Sequence, residues 1–114
     1  MSRITDELSK YGCDMNTTLE RFLGDEDFYE KCLIEMLGDS SFRELGEALE
    51  QKNVKAAFES AHTLKGLAAN MGLDSMLDIV VELVEPLRNG MIDGLSPTYE
   101  RLIAEKKTDN IVNG

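Results

Sequence analysis

Apolar residues recur along this chain at the three-and-four spacing of an α-helix, and short glycine-, asparagine- or serine-bearing breaks divide them into segments. Residues 3–11 read as a first short helix stopped by Gly12. Thr17 and Glu20 have capping-box spacing and open a turn carrying Leu19, Phe22 and Leu23 that ends at Gly24. Asp25 is placed to cap the next helix, which runs to Leu37 with Phe28, Tyr29, Cys32, Leu33 and Met36 on one side. Gly38-Asp39-Ser40 interrupts it, and Ser41 with Glu44 repeats the capping-box spacing. Phe42, Leu45 and Leu49 then carry an apolar stripe to about Gln51. Gly46 inside that stretch costs roughly 1 kcal/mol of helix propensity relative to alanine.

Asn53 is a favourable N-cap for a central helix over 54–71, with Gly72 where a left-handed stop is expected. A further helix spans about 73–89, and Leu73, Leu77, Val80, Val84 and Leu87 form its packing seam. Pro86 removes one backbone bond from the last turn. Asn89-Gly90 and Asp93-Gly94 mark turns, and Ser96-Pro97 opens a final short helix with Ser96 as cap and Pro97 at the first helical position. Residues 109–114 are expected to fray. Short links between amphipathic helices favour antiparallel neighbours. The predicted class is all-α: an antiparallel up-and-down four-helix bundle with short additional N-terminal helices. One domain over residues 1–114, with its core at about 12–107, suits a chain of 114 residues.

Composition narrows what such a bundle does. Twelve Lys and Arg against 22 Asp and Glu give a net charge of -10, which argues against binding a nucleic-acid backbone. Trp is absent and aromatics are 6%, so base-stacking platforms are not expected either. No apolar run reaches the roughly 18 residues a membrane span requires, and the first residues lack a signal-peptide core. Cys13 and Cys32 do not suggest a disulfide framework; Cys32 reads as core packing, and a cytoplasmic setting is the default.

The central helix holds the only histidine. Its apolar seam is Ala57, Ala61, Leu64, Ala68 and Met71. At about 100° per residue, His62 lies roughly 140° from the centre of that seam, so its imidazole is expected in solvent near mid-helix. Lys65 and Gly66, three and four residues on, share that face. A neutral imidazole is a nucleophile, a lysine is a mobile cation able to offset phosphoryl charge, and a glycine leaves room for an incoming group. Each has a plainer reading as well: a surface histidine, a solvated lysine, and a glycine that is a neutral accident or a close helix contact. No HxxxH or CxxC spacing exists, so no metal site is predicted.

The stretch Ala61-His62-Thr63-Leu64-Lys65-Gly66-Leu67-Ala68-Ala69-Asn70-Met71-Gly72 resembles the signature of histidine-phosphotransfer domains, which carry His, Leu, Lys and Gly in this order and a closing Gly. Gly24-Asp25-Glu26 and Phe28 are similar to the family's early segment, and the coarse likeness runs from about Gly12 to Gly90. The resemblance implies a four-helix bundle with His62 as phosphoacceptor, expected at Nε2, with Lys65 assisting electrostatically and Gly66 giving access. It implies a phosphorelay intermediate that takes the group from one receiver-domain aspartate and gives it to another. Response-regulator receivers would be its partners, with a hybrid sensor histidine kinase as a further candidate. The chain itself would carry no cofactor, since Mg²⁺ would sit on the receiver. Nothing resembles an ATP-binding glycine-rich loop, so the chain is expected to be a phosphoryl carrier without autokinase activity. Many relatives place a small polar residue after the Lys-Gly pair; Leu67 stands here, assigned instead to the core or the docking surface. Phe58 and Ala69 flank the exposed face as candidate docking residues, and Asn70 is a candidate polar contact toward one flank. A helical adaptor that binds receivers without being phosphorylated is the alternative, although it has no need of His62, Lys65 and Gly66 together.

Overall fold

From Glu26 onward the apolar segments do become helices. The computed structural model describes residues 24–106, together with Glu20 and Phe22. The expected N-terminal helix, Cys13 and the frayed end at 109–114 lie outside the described residues. Five α-helices follow one another: α1 Glu26–Leu37, α2 Ser41–Glu50, α3 Val54–Asn70, α4 Asp74–Arg88 and α5 Ser96–Lys106. Among the described residues there is no strand.

Local chemistry sets most of the boundaries. Asp25 accepts a hydrogen bond from the Phe28 N–H at 3.0 Å, and Asn53 accepts one from the Ala56 N–H at 3.1 Å, so both predicted N-caps are made. The cap of α2 differs from the expectation. Ser41 is the first residue of the helix, and the Asp39 carboxylate accepts from its N–H at 2.9 Å. The aspartate two residues earlier reaches the free donor first, and the ionised acceptor makes the stronger bond. That bond and one from the Ser41 side chain hold the Asp39 carboxyl below its ordinary pKa, the side-chain bond being the larger cause. The final helix likewise starts one residue early: Ser96 already lies within α5, and Leu95 O accepts from the Tyr99 N–H at 2.9 Å. Gly72 takes a positive φ of 70° after α3, as expected at a left-handed stop. Leu73 N–H reaches Ala68 O at 3.0 Å across that turn. The turn after α2 has the same form but puts Lys52 in the left-handed position, at φ 56°.

Packing follows the seams. α3 packs against both α2 and α4, α4 against α5, and α5 closes back on α2. The Lys52 ammonium meets the Asp93 carboxylate at 2.6 Å, so the α2–α3 turn and the α4–α5 loop lie at one end of the molecule. All five residues of the α3 seam are buried, and Leu64 is fully inaccessible. Truncating such a leucine costs roughly 2–5 kcal/mol. In α4 the seam is wider than predicted, because Met76, Ile79 and Leu83 are buried beside Val80, Val84 and Leu87. Pro86 sits in its last turn without ending it. α1 is fixed by Tyr29, whose buried hydroxyl donates to Met71 O at 2.8 Å. Cys32 is half-buried against the core.

Phe28 is a correction. Helical spacing puts it with Tyr29 on the apolar side of α1, but it stands 52% exposed, with its ring 5.5 Å from that of Phe22. Tyr29 takes the interior position instead, packing edge-on to Phe22 at 5.3 Å. Gly46 also finds its reason in packing. A Cβ there would stand 2.5 Å from the hydroxyl oxygen of Tyr99, which crosses from α5 and donates to Phe42 O at 2.9 Å.

Candidate functional site

α3 presents its outer face through the same periodicity that buries its seam. Because Ala57, Ser60, Ala61, Leu64 and Ala68 turn inward, His62 and its neighbours one turn away turn out. His62 falls at the midpoint of Val54–Asn70 and is exposed. Among the described residues its ring has one aromatic neighbour: Phe58, one turn earlier, lies with its centroid 5.8 Å away and its plane tilted by 34°. Phe58 is half-buried and packs its inner edge on the core, so the imidazole leans on a ring that is itself held in place. Thr63, next to His62, donates its hydroxyl to Glu59 O at 3.0 Å and is thereby turned back along the helix.

Lys65 is half-buried and Gly66 exposed, one turn beyond the histidine. Among the described residues, no atom of a neighbouring element lies within 4 Å of the point where a Cβ on Gly66 would stand. Among these residues, then, Gly66 makes no close helix contact. No packing contact among the described residues calls for a bare backbone here, and none of them fills the space beside Gly66.

The structure brings Phe58, His62, Lys65, Gly66 and Ala69 to one outward stripe of α3 and sets Asn70 apart. Ala69 is exposed near the end of the stripe. Asn70, the last helical residue, lines a cleft toward α1 with Cys32, Glu35 and Asp39. Leu67 is half-buried and lines the same cleft while packing on the core, which places it where the departure from the family pattern put it.

A second flank escaped the sequence reading. α2 runs beside α3 and contributes Glu44 and Glu47 to a cleft that Glu59, Ser60 and Thr63 line from the other side. Nothing in the one-dimensional pattern ties residues 41–51 to the neighbourhood of His62; only the α2–α3 pairing does. Among the described residues no group of three His, Cys, Asp or Glu side chains is arranged to hold a metal. No helix of these residues is long and apolar enough to cross a membrane.

A family profile described as "Hpt domain" matches residues 32–106, more than half of the chain. No curated protein and no solved structure matches the chain closely enough to be counted.

Proposed function

The chain belongs to the histidine-phosphotransfer (Hpt) domain family, a phosphotransfer module of two-component signalling that works with receiver domains, and from that premise we propose that His62 carries the phosphoryl group. The observation that supports this reading is the position of the only imidazole. It stands exposed at the middle of the central helix, with a glycine one turn away that no described residue crowds.

The chemistry is an in-line displacement at phosphorus. The unprotonated Nε2 of His62 attacks the phosphorus of a receiver's aspartyl phosphate. A P–N bond forms, the acyl P–O bond breaks, and the receiver's aspartate leaves as a carboxylate. Attack by the carboxylate of a second receiver reverses the sequence and regenerates the imidazole. Transfers of this kind depend on alignment and on offsetting charge at the phosphoryl oxygens. Phe58 holds the ring's attitude, Lys65 supplies the mobile cation on this chain, and Gly66 lets the receiver's reactive edge approach. The receiver brings Mg²⁺ and the acidic residues that bind it. Phe58 and Ala69 form the apolar margin of a modest, transient interface, with Asn70 at its far rim toward α1.

An antiparallel up-and-down order of α2 to α5 accords with this use, because it gives α3 two rigid neighbours. The Lys52–Asp93 pairing at one end supports that order. A cytoplasmic setting, and a hybrid sensor kinase as one source of the donor receiver, belong to the same reading.

Receivers charged with acetyl phosphate provide the test. Incubated with the parent chain, a partner receiver should lose its label to the chain within minutes. His62→Gln should take up none while keeping the parent's circular dichroism spectrum, since exposed substitutions usually shift stability by under about 0.5 kcal/mol. Unchanged receiver affinity in His62→Ala, with no uptake by the parent, would support an unphosphorylated adaptor instead.

A further inference from the structure

Beside the histidine stripe, the α2–α3 cleft has a volume of about 430 Å³. Its rim is acidic. Glu44 and Glu47 stand on the α2 side and Glu59 on the α3 side, all exposed. Glu47 is engaged by Arg43 on its own helix at 3.6 Å. Among the described residues neither Glu44 nor Glu59 has an ion-pair partner. The wall of the cleft holds a second, independent feature. Ser60 is only 8% exposed, and its hydroxyl has no hydrogen-bond partner among the described residues. Ser41, the other buried polar residue there, is satisfied by Asp39. A buried hydroxyl without a partner is unfavourable unless something fills the role, and here it lines an opening edged by two free carboxylates.

We propose that this cleft receives a lysine or arginine side chain of the docking receiver domain and so fixes how that partner sits over His62. A guanidinium or ammonium group brings N–H donors and no acceptor, which suits carboxylates at the rim and a hydroxyl oxygen below them. Position makes such an anchor useful. Glu59 and Thr63 border both the cleft and the histidine stripe, so a cation seated there lies about one helical turn from the imidazole. On the opposite side of the same stripe stand Phe58 and Lys65. The partner thus meets negative charge on one flank of His62 and the apolar edge of Phe58 on the other, an asymmetry that favours one orientation. The proposal rests on His62 being the phosphoacceptor in so far as the anchor serves transfer; seating of the cation does not require it.

Two measurements on the full chain test it. The first is independent of any receiver: a ¹⁵N-resolved NMR titration with arginine amide. Saturable shifts concentrated at Ser60, Thr63 and Glu44, lost in a Glu44→Gln/Glu59→Gln variant, are the expected result. Shifts spread evenly over the acidic surface would overturn the proposal. The second uses whichever acetyl-phosphate-charged receiver of the source organism labels the parent fastest. In Glu44→Gln/Glu59→Gln its KM should rise about tenfold with kcat within twofold of the parent, while phosphoramidate, which needs no docking, should label His62 at the parent's rate. An unchanged KM would overturn the proposal. If neither donor labels the parent, the assignment of His62 fails, and the titration still decides the cleft.

Discussion

The ring of Phe58 lies 5.8 Å from that of His62 and is inclined to it by 34°, so the exposed imidazole is braced by a side chain rooted in the core. Two roles of Phe58 therefore overlap. Phe58→Ala should lower the rate of transfer severalfold at temperatures where the variant is still folded. Phe58→Leu, which keeps most of the core contact at a cost of under about 1.5 kcal/mol, should restore the melting temperature more fully than the rate. Parallel losses in melting temperature and rate across the two variants would reduce Phe58 to a packing residue.

On the proposed reading, Lys65 is a cation close to the phosphoryl group carried by His62. Lys65→Ala should slow transfer without abolishing it and leave receiver binding almost unchanged. The effect should appear in kcat, because charge at the phosphoryl oxygens is offset most strongly in the transition state. A loss confined to KM would make Lys65 a docking residue.

Two glycines lie inside helices for opposite reasons. A methyl on Gly46 would press on the Tyr99 hydroxyl at 2.5 Å, whereas one on Gly66 would meet none of the described residues within 4 Å. Gly66→Ala should therefore raise stability by about 0.5–1 kcal/mol through helix propensity while slowing transfer. Gly46→Ala should destabilise, by roughly 1–3 kcal/mol for overpacking, and leave transfer from a folded protein intact. Chemical denaturation together with a labelling time course checks both signs. A Gly66→Ala protein that transfers at the parent's rate would remove the case for access.

Tyr99 gives the fold an alkaline limit. Burial, then Glu50 and Glu47, raises its pKa above the ordinary value of 10.0. The folded state thus favours the neutral phenol, so this contribution is fully present below pH 10 and is lost as pH rises through the raised value. Tyr99→Phe should cost about 1 kcal/mol near neutrality, from the lost bond to Phe42 O, and should flatten the alkaline limb. A parent and variant whose stabilities fall in parallel above pH 10 would contradict this.

Much of the fold could be read from the chain, because the α3 seam keeps strict helical spacing and Asp25 and Asn53 sit where an N-cap must. The misreadings have physical causes. Ser41 fits a capping box, but Asp39 competes for the same donor and prevails. Phe28 and Tyr29 are adjacent and both apolar enough for the interior, and periodicity alone does not say which one turns in; the Met71 carbonyl selects the residue with a hydroxyl. Gly46 looked like a local defect because its partner, Tyr99, belongs to another helix. The site divides the same way. His62, Lys65, Gly66, Phe58 and Ala69 share one helix, so their common face follows from angle alone. Asn70 lies nearer α1, and the acidic flank comes from α2; both depend on how helices pair.

The most direct test of the central claim is to locate the phosphoryl group itself. The chain would be charged by a phosphorylated receiver, kept alkaline, and fragmented by electron transfer in a mass spectrometer, with ³¹P–¹⁵N coupling to identify the nitrogen. The account predicts an acid-labile, alkali-stable phosphate on Nε2 of His62 and none anywhere in His62→Gln. Phosphate on a carboxylate or hydroxyl, or uptake that survives His62→Gln, would contradict it.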